Sequence, residues 1–285
     1  MAANTVRLLI SCPDKKGIVA AVSSFLYDNG ANIIESDQYT TSHKGGIFFI
    51  RIEFEPAGSL LDDKDFYQRF IPIAEKFSFT WRVSFSHKKK RMAVFVTKEE
   101  HCLQELLWRC KNGELSVDIP FVISNHHVLR NVAEQFNFEF RKFEVKKNNR
   151  EKAEREILSF MEGRVDFIVL ARYMQILTKG FVDKYRNNII NIHHSFLPAF
   201  AGAKPYEQAY ERGVKIIGAT AHYVTEELDK GPIIEQDIAR VSHRDDVKKL
   251  KIKGKDIERT VLFKAVKWHV EDRILVYKNR TIVFA

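Results

Sequence analysis

Apolar and polar positions alternate between two periods along this chain, and the changeover points divide it. Residues 5–12 (TVRLLISC) form a short continuous apolar run, the mark of a buried strand. After the turn Pro13-Asp14-Lys15-Lys16-Gly17, Ile18, Val19, Val22, Phe25 and Leu26 recur at helical spacing up to the stop signal Asp28-Asn29-Gly30. Ala31–Thr41 and Gly45–Glu55 read as two strands around the hairpin turn Ser42-His43-Lys44. The spacing of Leu61, Phe66, Phe70, Ile73, Ala74 and Phe77 predicts a helix over 60–77, and Ser78–Phe85 closes as a strand. The order βαββαβ is that of the ferredoxin-like split unit.

The charged stretch His87-Lys88-Lys89-Lys90 is the best linker, so the domains are expected to be 1–86 and 87–285. Beyond it, strands at 91–96, 117–124, 138–145, 165–171 and 189–192 alternate with helices at 102–110, 128–136, 151–161 and 181–185. Continuous apolar strands alternating with helices indicate an α/β, Rossmann-like domain whose mostly parallel sheet is covered on both faces. In such sheets ligands bind beyond the carboxyl ends of the strands. The loops after Val96, Ile123, Leu170 and His193 should therefore share one rim. A strand pair at 216–224 and 232–241, a helix over 244–270 with a basic start, and a hairpin around Lys278-Asn279-Arg280 complete the chain.

Composition narrows the class. At 285 residues, 45% hydrophobic and 29% charged, the chain is long enough for two globular domains. It has no run of about 18 apolar residues, so no membrane span is expected, and its start does not read as a signal peptide. Three scattered cysteines, 12, 102 and 110, build neither a zinc ribbon nor a disulfide framework, and a reducing cytoplasm is the default location. The net charge of +9 is spread along the chain and reads as a solvated lysine-rich surface, although it would also attract an anionic small molecule. No nucleic-acid partner is expected. The lysine cluster at 248–255 has no functional reading.

Candidate chemistry gathers between 189 and 231. Asn191 and His193 stand two residues apart and share one side of an extended chain. An amide donor and an imidazole so placed can stabilise an oxyanion; alternatively, Asn191 bonds a turn backbone. Gly218-x-Thr220-x-His222 repeats this spacing, though a lone histidine such as His222 is commonly a satisfied core residue. Asp229 stands in a turn beside Gly231 and Pro232, either facing the histidines or simply forming the turn. A metal centre built on His193, His194, His222 and Asp229 is disfavoured, because adjacent histidines on a strand point to opposite sides.

Two resemblances sharpen this picture. Asp14-x-x-Gly17-Ile18-Val19, a helix and then Gly30-Ala31-Asn32-Ile33 resemble an ACT domain. That likeness implies an amino-acid effector, methionine or glycine, touching Asp14, Gly17 and Asn32, and a homo-oligomer formed through these domains. Asn191-x-His193-x-Ser195-x-Leu197-Pro198-x-Phe200-x-Gly202, with His222 and Asp229-x-Gly231-x-Ile233 at their spacing, resembles the formyltetrahydrofolate-using enzymes. The likeness implies that Asn191, His193 and Asp229 are catalytic, that His222 orders the Asp229 loop and that Ser195 supports the site. It further implies that Arg172, Tyr173, Met174, Gln175, Ile176 and Leu177 line the folate pocket, with no metal and no permanent cofactor. An ACT domain ahead of this catalytic domain is similar to the formyltetrahydrofolate deformylase family. The segments 98–103, 123–126 and 170–177, and His193-His194, agree with that family. Its activity would be hydrolysis of 10-formyltetrahydrofolate to tetrahydrofolate and formate, balancing one-carbon pools and supplying formate for purine synthesis. Two alternatives stay open: formyl transfer to an unphosphorylated small acceptor, and a non-catalytic folate or amino-acid sensor. A phosphorylated acceptor is disfavoured by Glu99 and Glu100 in the loop after the first strand of the second domain, because carboxylates repel phosphate.

Overall fold

The computed structural model describes residues 4–57, 63–146, 148–199 and 205–285, with the side chain of Asp63 excepted. Leu60 and Leu61 of the expected second helix, and Phe200 and Gly202 of the motif, lie outside the described residues. The chain forms two compact units, 1–89 with 272–275 and 282–285, and 90–271 with 276–281.

The first unit runs β1 (Val6–Pro13), α1 (Ile18–Asp28), β2 (Asn32–Thr40), β3 (Ile47–Glu55), α2 (Asp63–Phe77) and β4 (Thr80–Phe85). Its antiparallel sheet has the order β2-β3-β1-β4. Alternate residues of β1 and β3, Leu8, Ile10, Ile50, Ile52 and Phe54 among them, pack on the apolar faces of α1 and α2. Phe25, Phe66 and Phe70 meet there with ring centroids 5.2–5.7 Å apart. Each such aromatic pair adds about 0.5–1.5 kcal/mol beyond burial.

Inclusion of 272–275 in this unit has a specific cause. Arg51 is wholly buried. Its guanidinium pairs with Glu35 and Glu53 at 2.6 Å each, and its Nε donates to the Asp272 carbonyl at 3.1 Å. Ser84 Oγ donates to the Asp272 carboxylate at 2.6 Å, and Arg273 reaches Glu35 at 3.1 Å. A buried charge needs every one of its donors answered, and the chain's last segment supplies part of that answer. The sequence alone had placed this segment within 87–285.

The second unit contains β5 (Lys90–Val96), α3 (His101–Lys111), β6 (Val117–Asp118), β7 (Val122–Ser124), α4 (Arg130–Gln135), β8 (Phe140–Lys142) and α5 (Arg150–Met161). It continues with β9 (Phe167–Leu170), α6 (Lys179–Lys184), β10 (Ile189–His193), α7 (Pro205–Glu211), β11 (Ile216–Tyr223), β12 (Ile233–Arg240) and α8 (Val247–Val270). The hairpin β13 (Ile274–Tyr277) and β14 (Arg280–Val283) closes the chain. The large sheet has the order β12-β11-β10-β9-β5-β7-β8. From β10 to β8 it is parallel, whereas β11 and β12 are antiparallel additions at one edge.

The single strand expected over 117–124 is two pieces, β6 beside the start of β5 and β7 beside its end. Pro120 falls between them; it has no N–H to give to a ladder. The last long helix starts at Val247 rather than at Arg244, because Asp246 caps it, accepting from Lys249 N at 2.8 Å.

Candidate active site

Parallel pairing brings the ends of β5, β7, β9 and β10 to one rim. Met174 N donates to Thr97 Oγ1 at 2.9 Å, and Ser124 Oγ to the Thr97 carbonyl at 3.4 Å, so three of the expected loops meet there. Asn191 pairs in register with Leu170 on β9 and with His222 on β11. The two segments singled out in the sequence, 172–177 and 191–193, therefore leave neighbouring strands at the same level. They line a cavity of about 380 Å³ together with Leu170, His194, His222 and residues 224–229. Met174 and Ile176 are more than half exposed at its rim, an apolar edge suited to a flat ring system.

The polar centre is compact. His222 Nδ1 lies 2.9 Å from the Tyr223 carbonyl, which can only accept, so Nδ1 carries the proton. Its Nε2 then accepts from Asn191 Nδ2 at 3.2 Å. A register shift in the β11–β12 ladder at Ala221/His222 re-aims this side chain. Asp229 sends one carboxylate oxygen to 3.3 Å from His193 Nδ1 and the other to 3.6 Å from His222 Nε2. Burial raises the pKa of Asp229, but the hydrogen bond from His193 outweighs it and holds the group well below the usual carboxylate range. With Nδ1 turned to that carboxylate, His193 Nε2 is left buried, with no hydrogen-bond partner among the described residues.

Backbone geometry explains the Asp229 turn. Asp229 has φ 55°, a left-handed conformation that Asp tolerates better than most residues. A Cβ at Gly231 would sit 1.7 Å from the Tyr223 carbonyl oxygen, so only glycine lets the returning chain pass. The loop after His193 is tied down by Thr220. Its hydroxyl donates to the Ser195 carbonyl at 2.9 Å, and accepts from Leu197 N at 3.0 Å and Gln236 Nε2 at 2.9 Å. Ser195 Oγ donates to the Ala199 carbonyl at 2.9 Å, which shapes the turn rather than facing the cavity. The Leu197–Pro198 peptide is cis.

Other residues here gave no local signal in the sequence. Glu258, buried on α8, accepts from Tyr206 OH at 2.7 Å and contacts His101 Nε2 at 2.8 Å; Arg172 Nε is 3.4 Å away. Burial acts to raise the Glu258 pKa, yet His101, Arg172 and Tyr206 bring it below the ordinary value. Gly254 makes room for this cluster, since a Cβ there would lie 1.9 Å from Tyr206 OH. His101, Cys102 and Glu258 are spaced as metal ligands could be. His101 and Glu258 are already bonded to one another, and burial keeps the Cys102 thiol protonated, so this donor set fits hydrogen bonding better than an ion. Glu99 is paired with Lys255 at 2.7 Å, so it repels an anion less than its sequence suggests. Burial, with the charge of Arg172, pushes His194 down to about 4.

The three effector candidates are not brought together within one chain. Asp14 and Gly17 follow the end of β1, where Thr40, at the end of β2, donates to Asp14 at 3.2 Å. Asn32 starts β2 and pairs with Glu55, at the opposite end of the sheet. Eight strand residues, roughly 25 Å, separate the two places. Residues that both flank α1 in sequence are carried apart by its length.

Comparison with known proteins agrees with the fold. The family model "Formyl transferase" matches residues 90–266, and the ACT domain model matches residues 6–60. The second unit thus carries a formyltransferase-type domain. A formyltetrahydrofolate deformylase of Bacillus subtilis is 56% identical over 98% of this chain and 93% of its own length. A Synechocystis protein of the same name is 50% identical over 99% of both chains. The crystal structure of a formyltetrahydrofolate deformylase from Pseudomonas syringae superposes with a TM-score of 0.96 at 46% identity, covering 100% of this chain and 96% of that one. The chain belongs to the formyltetrahydrofolate deformylase family.

Proposed function

We propose that this protein hydrolyses 10-formyltetrahydrofolate to tetrahydrofolate and formate, with Asn191, His193 and Asp229 as its catalytic residues. The observation that carries this reading is the buried, unpartnered His193 Nε2, set in one cavity with Asn191 and an ionised Asp229. The folate ring lies along Arg172, Tyr173, Met174, Gln175, Ile176 and Leu177, and the formyl group reaches Asn191 and His193. Water adds to the formyl carbon as its proton passes to the buried His193 Nε2, which charges the imidazole. Asn191 Nδ2, which retains one N–H beyond its bond to His222, and the His193 ring stabilise the oxyanion. Asp229 orients the water and holds the imidazole that charges during the reaction. Its depressed pKa suits a fixed negative charge better than a strong base in the free enzyme. The C–N10 bond then breaks, N10 takes the proton held at His193, and the acid product ionises to formate.

His222 and Ser195 are positioning residues in this scheme, the first for Asp229 and the second for the loop. No metal or permanent cofactor takes part. Residues 87–285 carry the catalytic domain, their segments 272–275 and 282–285 packing into the first unit, and 1–86 form a regulatory domain that assembles homo-oligomers and takes an amino-acid effector. By family likeness that effector is methionine or glycine, with the Asp14–Gly17 turn as its contact; Gly17, at φ 90° before the uncapped start of α1, admits a carboxylate. The enzyme works in the cytoplasm, where it balances one-carbon pools and supplies formate for purine synthesis. Among the described residues no helix is long and apolar enough to cross a membrane.

The test is incubation with 10-formyltetrahydrofolate and no acceptor, following both products. Equimolar formate and tetrahydrofolate are expected. Binding of the folate without formate release would sink the hydrolase reading.

A further inference from the structure

Next to the folate-type cavity lies a second one of about 430 Å³. It shares Arg172 and His194 with the first, so the two meet at the reaction centre. Its other walls come from the first turn of α3, from α7 and from the lysine-rich start of α8.

The charges on these walls are nearly balanced. Among the described residues, Arg172, Lys248, Lys251 and Lys255 face Glu99, Glu207 and Glu258, which leaves one positive charge in excess. Lys255 is spent on Glu99 at 2.7 Å and Lys251 on Glu207 at 2.8 Å. Arg172 is different. Both Glu258 oxygens are engaged, by His101 at 2.8 Å and by Tyr206 at 2.7 Å. Arg172 Nε stands 3.4 Å from Glu258 as an ion pair, yet its Nε and Nη1 are buried with no hydrogen-bond partner among the described residues. The N-terminus of α3 has no side-chain cap. Buried donors of this kind are costly unless a ligand answers them.

We propose that this cavity is a small-carboxylate site built on Arg172 and the start of α3, and that its occupant is the formate released in the adjoining cavity. The identity of the occupant rests on the hydrolysis proposed above. A guanidinium edge with open N–H groups matches the two oxygens of a carboxylate. A monoanion cancels the single excess charge, whereas a polyanion would meet three carboxylates at close range. Formate forms beside His193, in the cavity that shares Arg172 and His194 with this one. It can therefore depart here while tetrahydrofolate still fills the other pocket. The basic start of α8, which has no role in the chemistry, becomes the exit wall that draws the product out.

Carbon-13-labelled sodium formate is titrated into the full-length protein by NMR at constant ionic strength, with sodium chloride as control, and turnover is assayed in the same preparation. A three-atom ligand cannot bind much tighter than about 0.5 mM. Binding in the millimolar range that persists when tetrahydrofolate saturates the protein is expected, as is formate inhibition that excess 10-formyltetrahydrofolate does not relieve. Arg172→Met should weaken formate at least about tenfold, with Arg172→Lys restoring part of the loss. Lys248→Ala, an exposed change that leaves folding intact, should weaken it about threefold. Turnover with no formate binding up to about 0.1 M, or displacement of formate by tetrahydrofolate, would overturn the inference and leave the hydrolase standing. Formate binding in a preparation without turnover would instead keep the carboxylate site and remove the hydrolase.

Discussion

Asp229→Asn isolates charge from shape. The amide fills the same space between His193 and His222 and keeps one oxygen, but carries no charge. At 3.3 Å from His193 Nδ1, a full charge pair is worth about 5 kcal/mol at an effective dielectric of 20. If all of it appeared only in the transition state, the rate would change by about 10³·⁷, since 1.36 kcal/mol is tenfold. Part of the attraction exists before the imidazole charges and cancels, so kcat should fall about 10²- to 10³-fold. KM should change little, because the proposed folate wall at 172–177 is a separate segment of the cavity lining from the Asp229 loop. The assay is steady-state formate release without acceptor, beside circular dichroism and thermal unfolding to show that the variant folds. A kcat within about threefold of wild type would refute the reasoning, because it would mean that less than 1 kcal/mol of the pair reaches the transition state.

Asn191→Ala removes the amide donor and should lower kcat about 10²- to 10³-fold with a modest change in KM, read in the same assay. Gly231→Ala forces a Cβ to 1.7 Å from the Tyr223 carbonyl oxygen, so the Asp229 turn must move; both stability and kcat should drop, the former by about 1–3 kcal/mol in denaturant unfolding. Gly113→Ala, where φ is 75° but nothing lies within 4 Å, should cost about 1 kcal/mol and leave kcat alone. The pH dependence of stability follows from the depressed pKa of Asp229. A carboxylate whose folded pKa lies below its unfolded value adds stability above the unfolded pKa, about 3.9, and loses it as pH falls through the folded pKa. The difference in unfolding free energy between wild type and Asp229→Asn should therefore shrink below about pH 4 in denaturant titrations.

Much of the architecture could be read from local pattern because the signals are local. The apolar run 189–192, bounded by Asn188 and His193, becomes β10, and the spacing of Phe66, Phe70 and Phe77 becomes the buried face of α2. Asn191, His193, His222 and Asp229 are found in the sequence as a spaced motif, and the structure brings them within 3.6 Å steps of one another. What could not be read depends on distant pairing. Glu258 meets Arg172 across 86 residues and His101 across 157, and neither glutamate nor histidine announces a partner so far away. Glu99 looks like a charge facing an acceptor site until Lys255 is seen beside it. Asn32 and Asp14 look like one ligand site because both flank α1, yet the helix that joins them also separates them. Pro120 was legible in principle as a strand breaker, but the apolar run around it masks the gap.

The two non-glycine residues in left-handed conformations at the cavity, Arg172 at φ 64° and Asp229 at φ 55°, have different standing. Asp is among the residues that tolerate this region, whereas a long side chain there costs about 1–2 kcal/mol. Such strain persists only where the surroundings over-determine it. For Arg172 they do. The segment it opens is fixed at Met174 N by Thr97, and at Thr178 by the buried Glu154, which accepts from Thr178 N at 3.0 Å. Its guanidinium is held in place by the charge of Glu258. A relaxed backbone at Arg172 would swing the guanidinium away from Glu258 and leave a carboxylate with one cation fewer in a buried site, a larger cost than the strain it removes. The kink therefore serves both cavities at once. It turns the backbone of 173–177 toward the first cavity and leaves the guanidinium at the second. A wall so fixed needs little reordering when substrate arrives, which lowers the entropic cost of binding.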